Sequence, residues 1–124
     1  MALKVRVTQG RSFARTVHLN GRLDHESVAV LDSELDKLAD QPVDVLVFDL
    51  ADLEYISSAG LRSIYNAQKV MAGRSGRIVL MNPQPQVRKV FEIVKATDLT
   101  AVFSSVEELD RYLDTMQRRV VRGE

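Results

Sequence analysis

The stretch VDVLVFDL, residues 43 to 50, is an almost continuous apolar and β-branched run no longer than a strand. Such a run is expected of a strand covered on both faces, as in α/β sheets; a strand with one wet face alternates polar and apolar residues. It is the candidate central strand, and the rest of the chain must supply its cover.

The flanking segments supply helices. From Ser27 to Leu38, Val28, Leu31, Leu35 and Leu38 recur at helical spacing with Asp32, Glu34, Asp36 and Lys37 between them, and Pro42 stops the pattern. Leu61, Ile64, Ala67 and Met71 mark a second helix, closed by Gly73 and Gly76. RIVLM, residues 77 to 81, is the next strand. Asn82 and Pro83 turn the chain into a third helix striped by Val87, Val90, Phe91 and Val94, and Val102 with Phe103 suggests a short strand. Ser105 and Glu108 form a capping box for a last helix carrying Leu109, Leu113 and Met116, and residues 117 to 124, ending RRVVRGE, are expected to fray.

At the other end, Val5 and Val7 alternate with Lys4, Arg6 and Thr8, and ARTVHL (14 to 19) follows a break at Gly10 and Ser12, which predicts an opening hairpin whose second strand ends at Gly21. Alternating strands and helices then predict one α/β domain over residues 1 to 124, with a mixed, mainly parallel sheet of about four to five strands and helices packed on it.

Charge and cysteine content narrow the function. Seventeen basic and seventeen acidic residues cancel, so no net field draws the chain to nucleic acid or an anionic membrane, and a protein partner or small ligand is the expected target. The absence of cysteine removes disulfides, thiolate nucleophiles and sulfur-bound metals, and suits a reducing cytosol. No apolar run is long enough to cross a bilayer, and MALKVRVTQG alternates where a signal peptide would be uniformly apolar. A soluble, cytoplasmic chain is expected.

Several residues invite enzymatic readings. Ser58, Asp24 and His18 or His25 are the components of a hydrolase triad, yet a nucleophile elbow needs glycine two residues before and two after the serine; Gly60 is present but Ile56 holds the earlier position. Gly73 and Gly76 in GRSGR follow a helix and precede a strand, the reverse of a phosphate loop, and lack its Lys-Ser/Thr. Arg118, Arg119 and Arg122 cluster without interleaved aromatics and read as a solvated tail. Asp49 and Asp52, placed at a strand end, offer Mg²⁺ ligands but read more simply as turn and cap residues. No metal, cofactor or catalytic residue is therefore assigned.

One junction remains. In LADLEYISSAGLRSIYNAQKV, residues 50 to 70, Ser57, Ser58, Ala59 and Gly60 stand where a helix begins. The first N–H groups of a helix lack intrahelical partners and carry partial positive charge. A serine there either caps the helix or presents a hydroxyl whose phosphate would be locally favoured.

Three segments carry a family resemblance. VFDLADLEYISSAGL, LNGRLDHES (residues 19 to 27, with Asp24 in a Gly-x-Leu-Asp element) and MNPQPQVRKVFEIVKATDL together resemble, in order and spacing, the STAS family (sulphate transporter and anti-sigma factor antagonist), in particular its stand-alone bacterial anti-sigma factor antagonists. The resemblance implies the family fold, a mixed sheet with packed helices. It also implies a non-enzymatic phosphoswitch: the unmodified protein binds a serine-kinase anti-sigma factor, which holds the ATP, and frees the sigma factor. Phosphorylation of the residue matching Ser58 abolishes binding, and a serine phosphatase restores it. The implied partner-binding residues are Asp24, Ser57, Ser58, Ala59, Gly60 and Leu61. Ser57 stands where many antagonists have Asp, and Ala59 where they have a second hydroxyl residue. The alternative role is an unphosphorylated STAS subunit scaffolding a transporter or signalling assembly.

Overall fold

The structure, a computed structural model, describes residues 2–11, 13–96 and 105–123. Its elements are β1 (Lys4–Gln9), β2 (Ala14–Leu23), α1 (Val28–Ala39), β3 (Val45–Ile56), α2 (Ser58–Gly73), β4 (Arg77–Met81), α3 (Pro85–Ala96) and α4 (Val106–Val121). The strands form one sheet in the order β1-β2-β3-β4, with β1 antiparallel to β2 and the other pairs parallel. Both parallel crossovers step the same way across the sheet, so right-handed connections place α1 and α2 on one face, where they pack together.

Burial follows that arrangement. Val17, Leu19, Leu46, Phe48 and Leu50 point under the helices and are almost wholly buried with Leu31, Ile64 and Met71. Their neighbours Thr16, His18, Val45, Val47 and Asp49 share the opposite face and are only half-buried. Among the described residues the apolar run is thus covered by helices on one face, against the expectation of two. Its second face is shielded sideways: Val47 stands between Thr16 and Val79 in register, so β-branched neighbours cover one another.

Two boundaries move. β2 does not end at Gly21 but continues to Leu23, with register shifts on either side of Gly21, whose φ is 112°. A Cβ at Gly21 would lie 2.5 Å from the Ala2 carbonyl oxygen, so glycine there allows the N-terminal segment to approach β2 closely. β3 runs past Leu50 to Ile56, which puts Asp49 and Asp52 inside the strand and away from its end. The suggested strand at Val102 and Phe103 lies outside the described residues.

The longer β3 has an edge to satisfy. β4 pairs with it only from Val45 to Asp49. Beyond that point glutamine side chains bind its main chain: Gln84 donates to the Ala51 carbonyl at 2.8 Å and Gln86 to that of Glu54 at 2.9 Å. Gln117 takes both groups of Ile56, accepting from its N–H at 3.0 Å and donating to its carbonyl at 2.9 Å. Residue 117 therefore does not begin a frayed tail. It is 2% exposed, and α4 extends to Val121 because its Leu109, Leu113 and Gln117 face is packed.

Candidate functional site

β2 and β3 end side by side, Leu23 opposite Ile56, and the Ser57 N–H donates to the Leu23 carbonyl at 2.9 Å. Asp24 follows directly on that residue, so the Gly-x-Leu-Asp element and the serine junction share the end of the sheet where parallel strands finish. Two adjacent serines there have different surroundings. Ser57 is extended (φ −101°, ψ 178°) and caps α2: its hydroxyl accepts from the Gly60 N–H at 3.4 Å and its carbonyl from the Leu61 N–H at 2.9 Å. It is 2% exposed. Ser58 is the first residue of α2 and is half-exposed, with its N–H donating to Asp110 Oδ1 of α4 at 3.0 Å.

The following residues explain the small side chains. A Cβ on Gly60 would lie 2.6 Å from Leu23 Cγ and 3.0 Å from Ile56 Cγ1, both buried, so glycine lets the first turn of α2 press on the ends of β2 and β3. Leu61 is in the core at 6% exposure, whereas Ala59 is half-buried beside Ser58. Of the junction residues, a partner can reach Ser58 and Ala59 from solvent. Ser57, Gly60 and Leu61 shape the junction from beneath.

Asp24 is held by its own turn. Its Oδ1 accepts from the N–H groups of Glu26 and Ser27 at 3.0 Å each, while Oδ2 faces Arg22 Nε at 4.0 Å. The Ser27 hydroxyl in turn donates to the Arg22 carbonyl at 2.7 Å. Asp24 thus orders the entry to α1 with one oxygen and keeps the other toward the sheet end. Arg22 stacks over Tyr55 at 3.9 Å from the ring centre. Desolvation, followed by the carboxylates of Asp114 and Asp110, pushes the Tyr55 phenol up to about 12 against the opposing pull of Arg22. Carboxylates from α4 therefore crowd this end of the sheet.

The family model described as STAS domain matches residues 4–109. This chain belongs to the STAS domain family. BtrV of Bordetella bronchiseptica, whose name proposes the role of anti-sigma factor antagonist, is 36% identical over 89 residues, covering 72% of this chain and 77% of BtrV. The fold is similar to that of the anti-sigma factor antagonist SpoIIAA in its unphosphorylated form (TM-score 0.68, 24% identity, 74% of this chain and 81% of SpoIIAA). It is also similar to the Bacillus cell fate determinant SpoIIAA in its phosphorylated form (TM-score 0.63, 23% identity, 73% of this chain and 83% of SpoIIAA). The four-stranded mixed sheet is the STAS fold that the sequence resemblance implied.

Within this STAS domain the residues of the enzymatic readings are dispersed. His18 sits mid-strand on the open sheet face, about 16 Å of strand before Leu23. Its Nδ1 donates to Asp49 Oδ2 at 2.9 Å, since a carboxylate only accepts, and the Thr8 hydroxyl lies 3.0 Å from its Nε2. His25 is exposed beside Glu26. Asp49 also accepts from the Ala51 N–H at 3.1 Å, so its carboxylate is engaged within the sheet. Among the described residues, no group of three or more His, Asp or Glu side chains is placed to hold a metal ion. Sequence reasoning missed Asp110 and Gln117 at the junction. A glutamine on the apolar stripe of Leu109 and Leu113 was the available signal for the second; nothing local marks the first.

Proposed function

We propose that this STAS-domain protein is an anti-sigma factor antagonist. Its unmodified form binds a serine-kinase anti-sigma factor and releases the sigma factor, and phosphorylation of Ser58 abolishes that binding. ATP is bound by the partner, which performs the chemistry; the antagonist is no enzyme, and a serine phosphatase returns it to the binding form. The name of BtrV and the fold of SpoIIAA support the antagonist role, and a SpoIIAA structure in the phosphorylated form supports a switch by phosphate.

The observation that carries the site assignment is the contrast between the serines. Ser57 is 2% exposed and occupied as a cap, whereas Ser58 is half-exposed at the first position of α2. A kinase must reach the hydroxyl, so Ser58 is the acceptor. The docking surface comprises Ser58, Ala59 and Asp24, with Ser57, Gly60 and Leu61 fixing their positions. The serine kinase and its ATP place the exchange in the cytoplasm. Among the described residues, no helix is long and apolar enough to cross a membrane.

Incubation with a serine-kinase anti-sigma factor and Mg-ATP, followed by peptide mapping, tests this reading. Label on Ser58, lost in Ser58→Ala while that variant still binds the kinase, is expected; label solely on Ser57 contradicts the assignment.

A further inference from the structure

α4 is fastened to the serine junction at two points along one face. Gln117 pairs with both main-chain groups of Ile56, and about two turns earlier Asp110 Oδ1 takes the Ser58 N–H at 3.0 Å. Asp110 lies just beyond residues 4–109, the stretch matched by the family model. The N–H it binds is the first of α2, and the Ser57 hydroxyl reaches only the Gly60 N–H, at 3.4 Å. The start of α2 therefore already carries an anion supplied by another helix of the same chain.

A phosphate on Ser58 would compete for that place. Attached to Ser58 Oγ, it stays within reach of the Ser58 N–H and brings about −1.5 to −2 charge at neutral pH. Asp110 and Ser58 are both half-buried, so water screens their like charges only in part. Asp114, one turn further along α4, binds Arg118 at 3.0 Å, which leaves its carboxylate paired within its own helix.

We propose that Asp110 couples the state of Ser58 to α4: phosphate at Ser58 displaces the Asp110 carboxylate from the Ser58 N–H and loosens the first half of α4, while Gln117 keeps the second half anchored at Ile56. The modification then alters two surfaces, the start of α2 and the exposed side of α4 that carries Glu107, Arg111 and Tyr112. This inference rests on the proposal that Ser58 is the modified residue, but its test need not depend on any kinase.

Phosphoserine is installed at position 58 of the full chain by codon reassignment, and amide hydrogen exchange is followed for peptides covering the two halves of α4. The readout is the ratio of exchange rates between modified and unmodified protein within each background, so that any basal effect of a substitution cancels. In the parent, exchange in the segment around residues 106–113 is expected to rise about tenfold on modification, with much less change near residues 117–121. In Asp110→Asn, which keeps an oxygen acceptor for the Ser58 N–H but has no charge, the rise should shrink to less than about threefold. An unchanged ratio in the parent, or an equal rise in Asp110→Asn, overturns the coupling. Failure of the functional reading would appear elsewhere, as absence of kinase binding or labelling, with these exchange ratios unaffected.

Discussion

Replacing Gln117 by Met should unfold the C-terminal clasp while leaving the volume of the side chain in place. Gln117 is 2% exposed and holds the Ile56 N–H and carbonyl at 3.0 and 2.9 Å. Its third contact, to the Leu113 carbonyl at 3.1 Å, is to a group that the helix also satisfies. Methionine is equally long and unbranched, so packing changes little, but two main-chain groups of Ile56 lose this partner in a dry setting. At about 1–3 kcal/mol for each unsatisfied buried group, with partial relaxation, the loss should be about 3 kcal/mol. That is a large part of a typical stability of about 5–15 kcal/mol and corresponds to roughly 10 °C in Tm for a chain of this size. Urea unfolding measures it as a lower midpoint at unchanged slope. Gln117→Glu adds a pH signature. A neutral carboxyl can accept from Ile56 and donate to its carbonyl as the amide does, whereas a carboxylate cannot donate and meets the carbonyl oxygen, so burial and that repulsion raise its folded pKa. Its stability should then be close to the parent's below the ordinary Glu value of about 4.3 and be lost as pH rises through the raised folded value. A Gln117→Met variant within about 0.5 kcal/mol of the parent, or a Gln117→Glu variant with the pH profile of the parent, would refute the clasp.

Further outcomes follow from the same geometry. Ser57→Ala should lower stability by about 0.5–1 kcal/mol in chemical denaturation, the lower range for a lost cap because its bond is long, and should leave labelling of Ser58 intact. Gly60→Ala gains about 1 kcal/mol of helix propensity but drives a Cβ into Leu23, where overpacking costs about 1–3 kcal/mol, so calorimetry should find a lower Tm. Asp24→Asn keeps its turn acceptor and should melt within about 0.5 kcal/mol of the parent, while kinase affinity falls about tenfold or more through the lost charge. Partial desolvation raises the Asp49 pKa, but the Ala51 N–H, His18 and Asn82 together outweigh it and hold the carboxyl below its ordinary value. The stability Asp49 contributes is therefore present above the ordinary Asp range and lost as pH falls through the lowered folded value. Acid titrations of Asp49→Asn should lack that loss.

What was legible in the sequence was whatever depends on local pattern. RIVLM is β4 at both boundaries, Ser105 caps the last helix through the Glu108 N–H at 3.1 Å, and the stripes of α1, α2 and α3 lie on the helices they predict. The second half of β3 was obscured by Asp52 and Glu54 and by a change of phase: the buried positions run Leu46, Phe48, Leu50 and then, across the exposed pair Ala51 and Asp52 where the register against β2 shifts, Leu53 and Tyr55. The STAS resemblance implied a role for the serine junction, but two adjacent serines look alike in sequence. Only the turn of chain that buries Ser57 and leaves Ser58 half-exposed distinguishes the cap from the proposed acceptor. The end of α4 was hidden for a further reason: its basic residues suggest solvent, and the group that buries Gln117 is Ile56, 61 residues away.

In the proposed switch the chemical state of Ser58 governs binding to a serine-kinase anti-sigma factor. Isothermal titration of one such kinase with the unmodified protein and with protein carrying phosphoserine at position 58 tests it directly. Tight binding of the unmodified form is expected, with at least about a hundredfold loss on modification, equivalent to roughly 2.7 kcal/mol. Equal affinity of the two forms would contradict it.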